Sequence, residues 1–323
     1  MTTVEAPVRL VCPREGGELR REAGGLVCGE GHRYPVTDGI PVLLLEDEPA
    51  THMACRVSLE DADSAAVSNT SAGTQSIDPV VQELVAATCG RLYRHLVGRL
   101  ETYPIPELPL PPGEGELFLE LGCNWGRWCV AAARRGYRVV GIDPSLKAIA
   151  AARRIAPGLG VDVTYLVADA RHLPFADASF DVVFSYSVFQ HFAKAEAVAS
   201  FDEIGRVLRP GGLGKIQMAN VFGSRSLWNQ LRERRFREPR LLFDVRYWSP
   251  VELRAELSRR VGPTKLEVDG FFTLNAQLAG VGLLPRRYRL VVRASEALRG
   301  VSGRLPPLRY AADSLYAVSR RAD

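Results

Sequence analysis

Between residues 116 and 220, short apolar runs alternate with segments of helical periodicity, and this rhythm restricts the fold more than any other feature of the chain. The runs LFLELG, RVVGIDP, VTYLVAD, FDVVFSYS and LGKIQMAN are too apolar for strands with one wet face, so both faces of their sheet must be covered. Residues 126–135, 145–155 and 195–208 have the helical spacing to supply that cover, with Ser145 as the expected N-cap of the second helix. Such alternation predicts an α/β, doubly wound, mostly parallel sheet. DSLYAVSRR near the C-terminus reads as a further strand.

Around this core (116–220) the chain divides into three other parts. Residues 1–48 are Gly-punctuated with short period-2 pieces, as in a small β module. Residues 49–115 read as a Ser/Thr/Ala-rich linker, a helix over about 80–100, and a Pro-rich break. Residues 221–323 begin with polar helical stretches, expected to form a lid, and end in strands that complete the sheet. Helix faces at 221–248 carry Leu227, Trp228, Leu231, Phe236, Leu241, Phe243, Tyr247 and Trp248, which suit a lid over an apolar acceptor.

No apolar run reaches the roughly 18 residues of a membrane span. The opening MTTVEAPVRLVCP lacks the basic and apolar regions of a secretory leader, and six cysteines without disulfide-dense spacing suit a reducing compartment. The expected location is the cytoplasm. Residues 221–323 hold about twice as many basic as acidic side chains, nearly all Arg. An anionic partner is one reading of that bias. However, Arg is interleaved with Glu and Asp, as on solvated helix faces, and is preferred over Lys throughout, as genome composition would produce.

In an open parallel sheet, ligands bind beyond the carboxyl ends of the strands. After the first run stands Glu120-Leu-Gly122-Cys123-Asn124-Trp-Gly126, where two glycines permit a tight turn and close approach of a ligand. About 20 residues later Asp143 ends the second strand, placed to accept both hydroxyls of a ribose, or else to cap the next helix. Asp169 ends the third and can accept a hydrogen bond from an adenine amine. A dinucleotide fingerprint needs a glycine at the middle of the loop, where Asn124 stands, so a nicotinamide dehydrogenase fits poorly. Beyond the fourth strand, His191 is a candidate general base and Tyr186 and Gln190 are candidates to face substrate. Trp125 and Trp128 read as packing residues.

The succession ELGCNWG, GIDP, VADARHLPF, FDVVFSYSVFQHF and LRPGG resembles the motifs of class I methyltransferases of the methyltransferase-11 type, over roughly residues 116–220. The resemblance implies a Rossmann-like sheet of seven strands and S-adenosylmethionine as cofactor. It places Glu120, Gly122 and Gly126 about the methionine part, with Cys123 and Asn124 in the same cofactor-binding loop, Asp143 at the ribose, Asp169 with Ala170 at the adenine, and Ser185 on the reactive side. Asn124 stands where the family usually has Gly, and tolerates positive φ better than most residues. The motifs for methylating exocyclic base amines or cytosine C5 are absent after the fourth strand, where SYSV stands. A small-molecule acceptor is therefore expected, with an rRNA or tRNA methyltransferase and a catalytically inert, cofactor-holding adaptor as alternatives.

CPREGGEL, LVCGEGHRYPV and DGIPVLL resemble the zinc ribbon that activates tRNA methyltransferases. Cys28 and His32 match a C-x3-H pair, whereas Glu15 follows Cys12 where a second Cys is usual. The implied ligands of a structural zinc are Cys12, Glu15, Cys28 and His32. A ribbon that has lost its metal is the alternative.

Overall fold

The computed structural model describes residues 7–48, 77–88, 100–236, 245–272, 281–282, 284–305 and 307–323. The linker at 49–76, residues 89–99 of the helix expected over about 80–100, Cys55, Cys89, Leu241 and Phe243 lie outside them. Four short strands open the chain: β1 (Arg20–Glu22), β2 (Gly25–Val27), β3 (Arg33–Thr37) and β4 (Ile40–Leu43). Helix α1 (Pro79–Thr88) follows. The central alternation is β5 (Leu117–Leu121), α2 (Arg127–Arg134), β6 (Arg138–Asp143), α3 (Leu146–Ile155), β7 (Val163–Ala168), β8 (Phe180–Ser185), α4 (Lys194–Val207) and β9 (Leu208–Ala219). The C-terminal part holds α5 (Ser224–Phe236), α6 (Pro250–Arg260), β10 (Thr264–Gly270), α7 (Arg286–Ser302), α8 (Leu308–Ala311) and β11 (Ser314–Arg320).

The strands form an 11-stranded sheet in the order β1-β2-β3-β4-β7-β6-β5-β8-β9-β11-β10. This corrects the expectation of a mostly parallel seven-stranded sheet. Pairing is parallel from β4 through β9, but β1–β4 pair antiparallel among themselves and β11 is antiparallel to both β9 and β10. The extra strands have a physical cause in Ile40-Pro-Val-Leu43, which is buried at every position. It covers what would otherwise be the open edge of β7, through Val42 opposite Val167 and Leu43 opposite Ala168. The N-terminal module is thereby built into the sheet rather than tethered beside it.

Register aligns the functional edge. Leu121 stands opposite Ile142 on one side and Ser185 on the other, and Asp143 is opposite Val167. One face is closed by α2 and α3 over Phe118, Cys129, Ile149 and Phe184, the other by α4 and α6 over Phe180, Phe201, Ile204 and Leu257. Ser145 caps α3, its Oγ accepting from the Ala148 N–H at 3.2 Å. The segment expected to form a lid is split: α6 packs on α4, β10 and β11 as part of the covering layer, and Trp248 is buried against Phe201. On α5, by contrast, Leu227, Trp228 and Leu231 face solvent, Trp228 being 67% exposed. No helix among the described residues is long and apolar enough to cross a membrane.

Candidate functional site

The loop after β5 makes its turn through three left-handed residues: Gly122 at φ 70°, Asn124 at φ 51° and Gly126 at φ 81°. Asn124 steadies its own turn, its Oδ1 accepting from the Trp125 N–H at 3.0 Å. Both glycines are also sterically required. A Cβ on Gly122 would lie 2.4 Å from the Val188 side chain, and one on Gly126 2.3 Å from the Tyr165 hydroxyl. The loop therefore lies directly against the segment following β8. Cys123 contributes backbone only, for it is buried and burial pushes its thiol up to about 12.

Asp143 ends β6 beside this loop. The Asn124 N–H donates to Oδ2 and the Ser145 N–H to Oδ1, each at 2.9 Å. The helix-capping and ligand-binding readings of Asp143 are thus compatible, because each oxygen keeps a second lone pair for a hydroxyl. Burial pushes the carboxyl up to about 6 despite these two donors. Glu120, one strand over, is 2% exposed, and burial pushes it up to about 8. Its Oε2 has no hydrogen-bond partner. An orphaned carboxylate oxygen in an interior is costly unless a donor or cation arrives to meet it.

Asp169 is more heavily engaged than its sequence implied. Arg171 grips it with Nε at 3.1 Å from both oxygens and Nη2 at 2.7 Å from Oδ2, and the Arg171 N–H adds a bond of 2.8 Å to Oδ1. Glu196 and Glu48 share the guanidinium. Arg171, absent from the sequence reading, fixes the carboxylate plane and leaves little of its acceptor capacity, and buried Ala170 lies between the two. Ser185 is fully buried with its hydroxyl donating to the Leu121 carbonyl at 3.3 Å, which ties β8 to β5.

Beyond β8 the chain turns through Ser187 at φ 62°. The Tyr186 ring lies 4.8 Å from that of Trp128, with the Arg127 guanidinium over both. Its hydroxyl donates to Asp269 Oδ2 at 3.3 Å. His191 is partly buried on the turn at 189–191, its Nε2 3.4 Å from Gln190 Nε2 and its carbonyl accepting from Arg246. Gln190 donates to Ser187 Oγ at 2.7 Å. Asp269 was missed in the sequence because β10 carries no strong strand signal; only its place opposite the C-terminal strand reveals it.

In the N-terminal module, the turn after Val11 and the β2–β3 hairpin bring Cys12, Glu15, Cys28 and His32 together, with ligand atoms all within 4.8 Å of one another. His32 Nδ1 is 3.7 Å from Cys12 Sγ, 3.4 Å from Cys28 Sγ and 3.7 Å from Glu15 Oε1. A tetrahedron with Zn–S of about 2.3 Å and Zn–N of about 2.0 Å has S···N edges of about 3.5 Å, so the His32 edges match zinc, while the widest separation would have to close by about 1 Å. Tyr34 reaches Cys12 Sγ at 3.1 Å from below. The cluster is packed onto the core with Leu166, Leu173 and Phe175.

A glycine turn and strand-end acids thus stand at the carboxyl edge of a β7-β6-β5-β8-β9-β11-β10 arrangement, the layout of a Rossmann-like, doubly wound domain. Residues 118–212 match the family model described as a methyltransferase domain. A ubiquinone biosynthesis O-methyltransferase of Sinorhizobium medicae is 39% identical over 102 residues, which is 32% of this chain and 40% of that protein. An uncharacterized methyltransferase of Synechocystis is 32% identical over 115 residues, 36% of this chain and 51% of its own length. The chain spans 40% of the length of the first curated relatives it matches. Among solved structures, a chain in the complex of the Haloferax volcanii Trm112 methyltransferase activator with a candidate methyltransferase superposes with a TM-score of 0.48 at 18% identity, covering 85% of this chain and 100% of that one.

Proposed function

We propose that this chain is an S-adenosylmethionine-dependent methyltransferase acting on a small molecule. The observation that carries the reading is Asp143: a buried carboxylate, oriented by two backbone N–H groups on the glycine loop and the α3 cap, with one lone pair per oxygen left for the two hydroxyls of a ribose. Glu120 supports it, because its unpartnered Oε2 beside Gly122 awaits the positive charge of the methionine part. The Asp169–Arg171 pair, with Ala170 between, forms the rim where adenine would lie, its amine taking the remaining acceptor position of Asp169. Gly122, Asn124 and Gly126 let the backbone close on the cofactor, with Cys123 anchoring the loop from beneath.

The cofactor supplies a methyl group already activated on a sulfonium, so positioning for in-line displacement is the main demand on the protein. Tyr186, at the end of β8, and the turn bearing Gln190 and His191 are the side chains of this chain that face the acceptor in our reading. The solvent-facing Leu227, Trp228 and Leu231 of α5 favour an apolar acceptor over a phosphate backbone, which a basic groove would track.

We further propose that Cys12, Glu15, Cys28 and His32 hold a structural zinc, which would clamp the N-terminal module to the sheet edge. Incubation with methyl-labelled S-adenosylmethionine and separated small-molecule and RNA fractions tests the function. Label entering the small-molecule fraction is expected. Transfer into rRNA or tRNA, with tight low-salt filter binding, would establish the RNA reading instead.

A further inference from the structure

Asp269 lies in a polar cluster that the cofactor does not account for. Strand β10 is antiparallel to β11, which is antiparallel to β9, so β10 ends at the same sheet edge as β5, β6 and β8. There Asp269 Oδ2 accepts from Ser314 Oγ at 2.7 Å, from the Tyr186 hydroxyl at 3.3 Å and from Gln217 Nε2 at 3.4 Å. All three bonds land on Oδ2 and none of them on Oδ1. Gln217 also accepts the Ser187 N–H at 2.8 Å, which ties the carboxylate to the turn following β8. Beside it stands the Tyr316 hydroxyl, in a side chain 2% exposed, which helps hold the charge of the same carboxylate. Three donors gathered on Oδ2 leave the lone pairs of Oδ1 for one more polar group.

Resting on the methyltransferase reading, we propose that Asp269 is the catalytic base for an acceptor bearing a phenolic hydroxyl, with Tyr186 and Gln217 as positioning residues. The acceptor oxygen forms its bond to the methyl carbon as the S–CH3 bond of S-adenosylmethionine breaks. The bonding pair leaves with sulfur as a thioether, and the hydroxyl proton passes to Asp269 Oδ1 and then to water. A phenol suits a carboxylate base better than an aliphatic alcohol does, because it is several pKa units the stronger acid and loses its proton as the O–C bond forms. Burial raises Asp269 above the ordinary carboxylate range, with Ser314, Tyr186, Tyr316 and Arg299 of α7 opposing it. The other charges near the cluster are Arg127, over the Tyr186 ring, and the Lys215–Glu267 pair at 2.8 Å. The rings of Trp128, Tyr186 and Tyr316, with centroid spacings of 4.8 Å and 6.1 Å, pack as a buried aromatic row behind the carboxylate, with Arg127 over the first two and Lys215 over the third.

The test compares 4-methylphenol with 4-methylanisole, which lacks the proton, for binding to the full chain loaded with S-adenosylhomocysteine. Wild type is expected to prefer the phenol by about tenfold or more, and Asp269→Asn to lose the preference while keeping its S-adenosylhomocysteine affinity. Methyl transfer to the phenol should fall by about 100-fold or more in Asp269→Asn and lose its acid limb. Tyr186→Phe should lower transfer less and shift that limb. Failure of the wild type to discriminate or to bind the phenol, a preference retained in Asp269→Asn, or transfer to amines alone would overturn the proposal. A wild type that binds no S-adenosylhomocysteine would instead overturn the cofactor reading on which it rests.

Discussion

The Asn124 N–H donates to Asp143 Oδ2 at 2.9 Å, locking the glycine loop of one strand to the acid that ends the next. This bond orients the carboxylate before any ligand arrives, and it also makes the site sensitive to pH. Burial holds the Asp143 carboxyl at about 6, above its value in an unfolded chain. Ionising it therefore destabilises the unliganded fold as pH rises through about 6, and the penalty vanishes below the unfolded value. Ribose hydroxyls favour the ionised form, so ligand binding acts in the opposite direction. S-adenosylhomocysteine affinity should be flat above about pH 7 and weaken by up to about tenfold per pH unit below 6, with the dependence flattened in Asp143→Asn. Wild-type affinity that ignores pH over this range contradicts the assignment.

Glu120 makes a separate prediction. Held at about 8 by burial, it is mostly protonated at pH 7, and a cation placed beside it draws the proton off. Calorimetry of cofactor binding at pH 7 in buffers of different ionisation enthalpy should show release of about one proton per site. Glu120→Gln should release none. An identical buffer dependence for both proteins removes Glu120 from the site.

For the glycine turn the expectation is steric. Gly126→Ala must place a methyl 2.3 Å from the Tyr165 hydroxyl at φ 81°, and should cost about 3 kcal/mol of stability in denaturant unfolding. Gly158→Ala, with nothing within 4 Å and no positive φ, serves as the control and should change stability by less than about 0.5 kcal/mol. Equal effects of the two substitutions would show that the loop yields more easily than its packing implies.

Much of the central site was legible because strand-end chemistry is local. The glycine turn, Asp143 and the Ser145 cap each announce themselves within a few residues of an apolar run. What escaped the sequence depends on pairing across long separations. Arg171 looks like a surface arginine until the turn at Asp169 folds its guanidinium back onto the carboxylate. Asp269 is meaningful only once β10 pairs with β11 and reaches Tyr186, 83 residues earlier in the chain. The four N-terminal strands read as a module of their own, because nothing in Ile40–Leu43 says which edge it will cover.

The metal cluster is open to direct assay. Purified protein should carry about one zinc per chain by elemental analysis, and Cys28→Ser should lose it. Glu15→Cys, which restores an all-Cys/His ligand set, should retain zinc more tightly under chelator challenge. Wild-type protein that folds without zinc and fails to take it up would leave a metal-free ribbon.

Whether the β5–β6 edge holds S-adenosylmethionine through Asp143 is decided by isothermal titration of wild type and Asp143→Ala with S-adenosylmethionine and S-adenosylhomocysteine. The expected result is micromolar binding of both ligands to the wild type. In Asp143→Ala both should weaken by about 10–150-fold, the cost of removing a charged hydrogen-bond partner. Absence of wild-type binding, or equal affinities in the two proteins, would contradict the account.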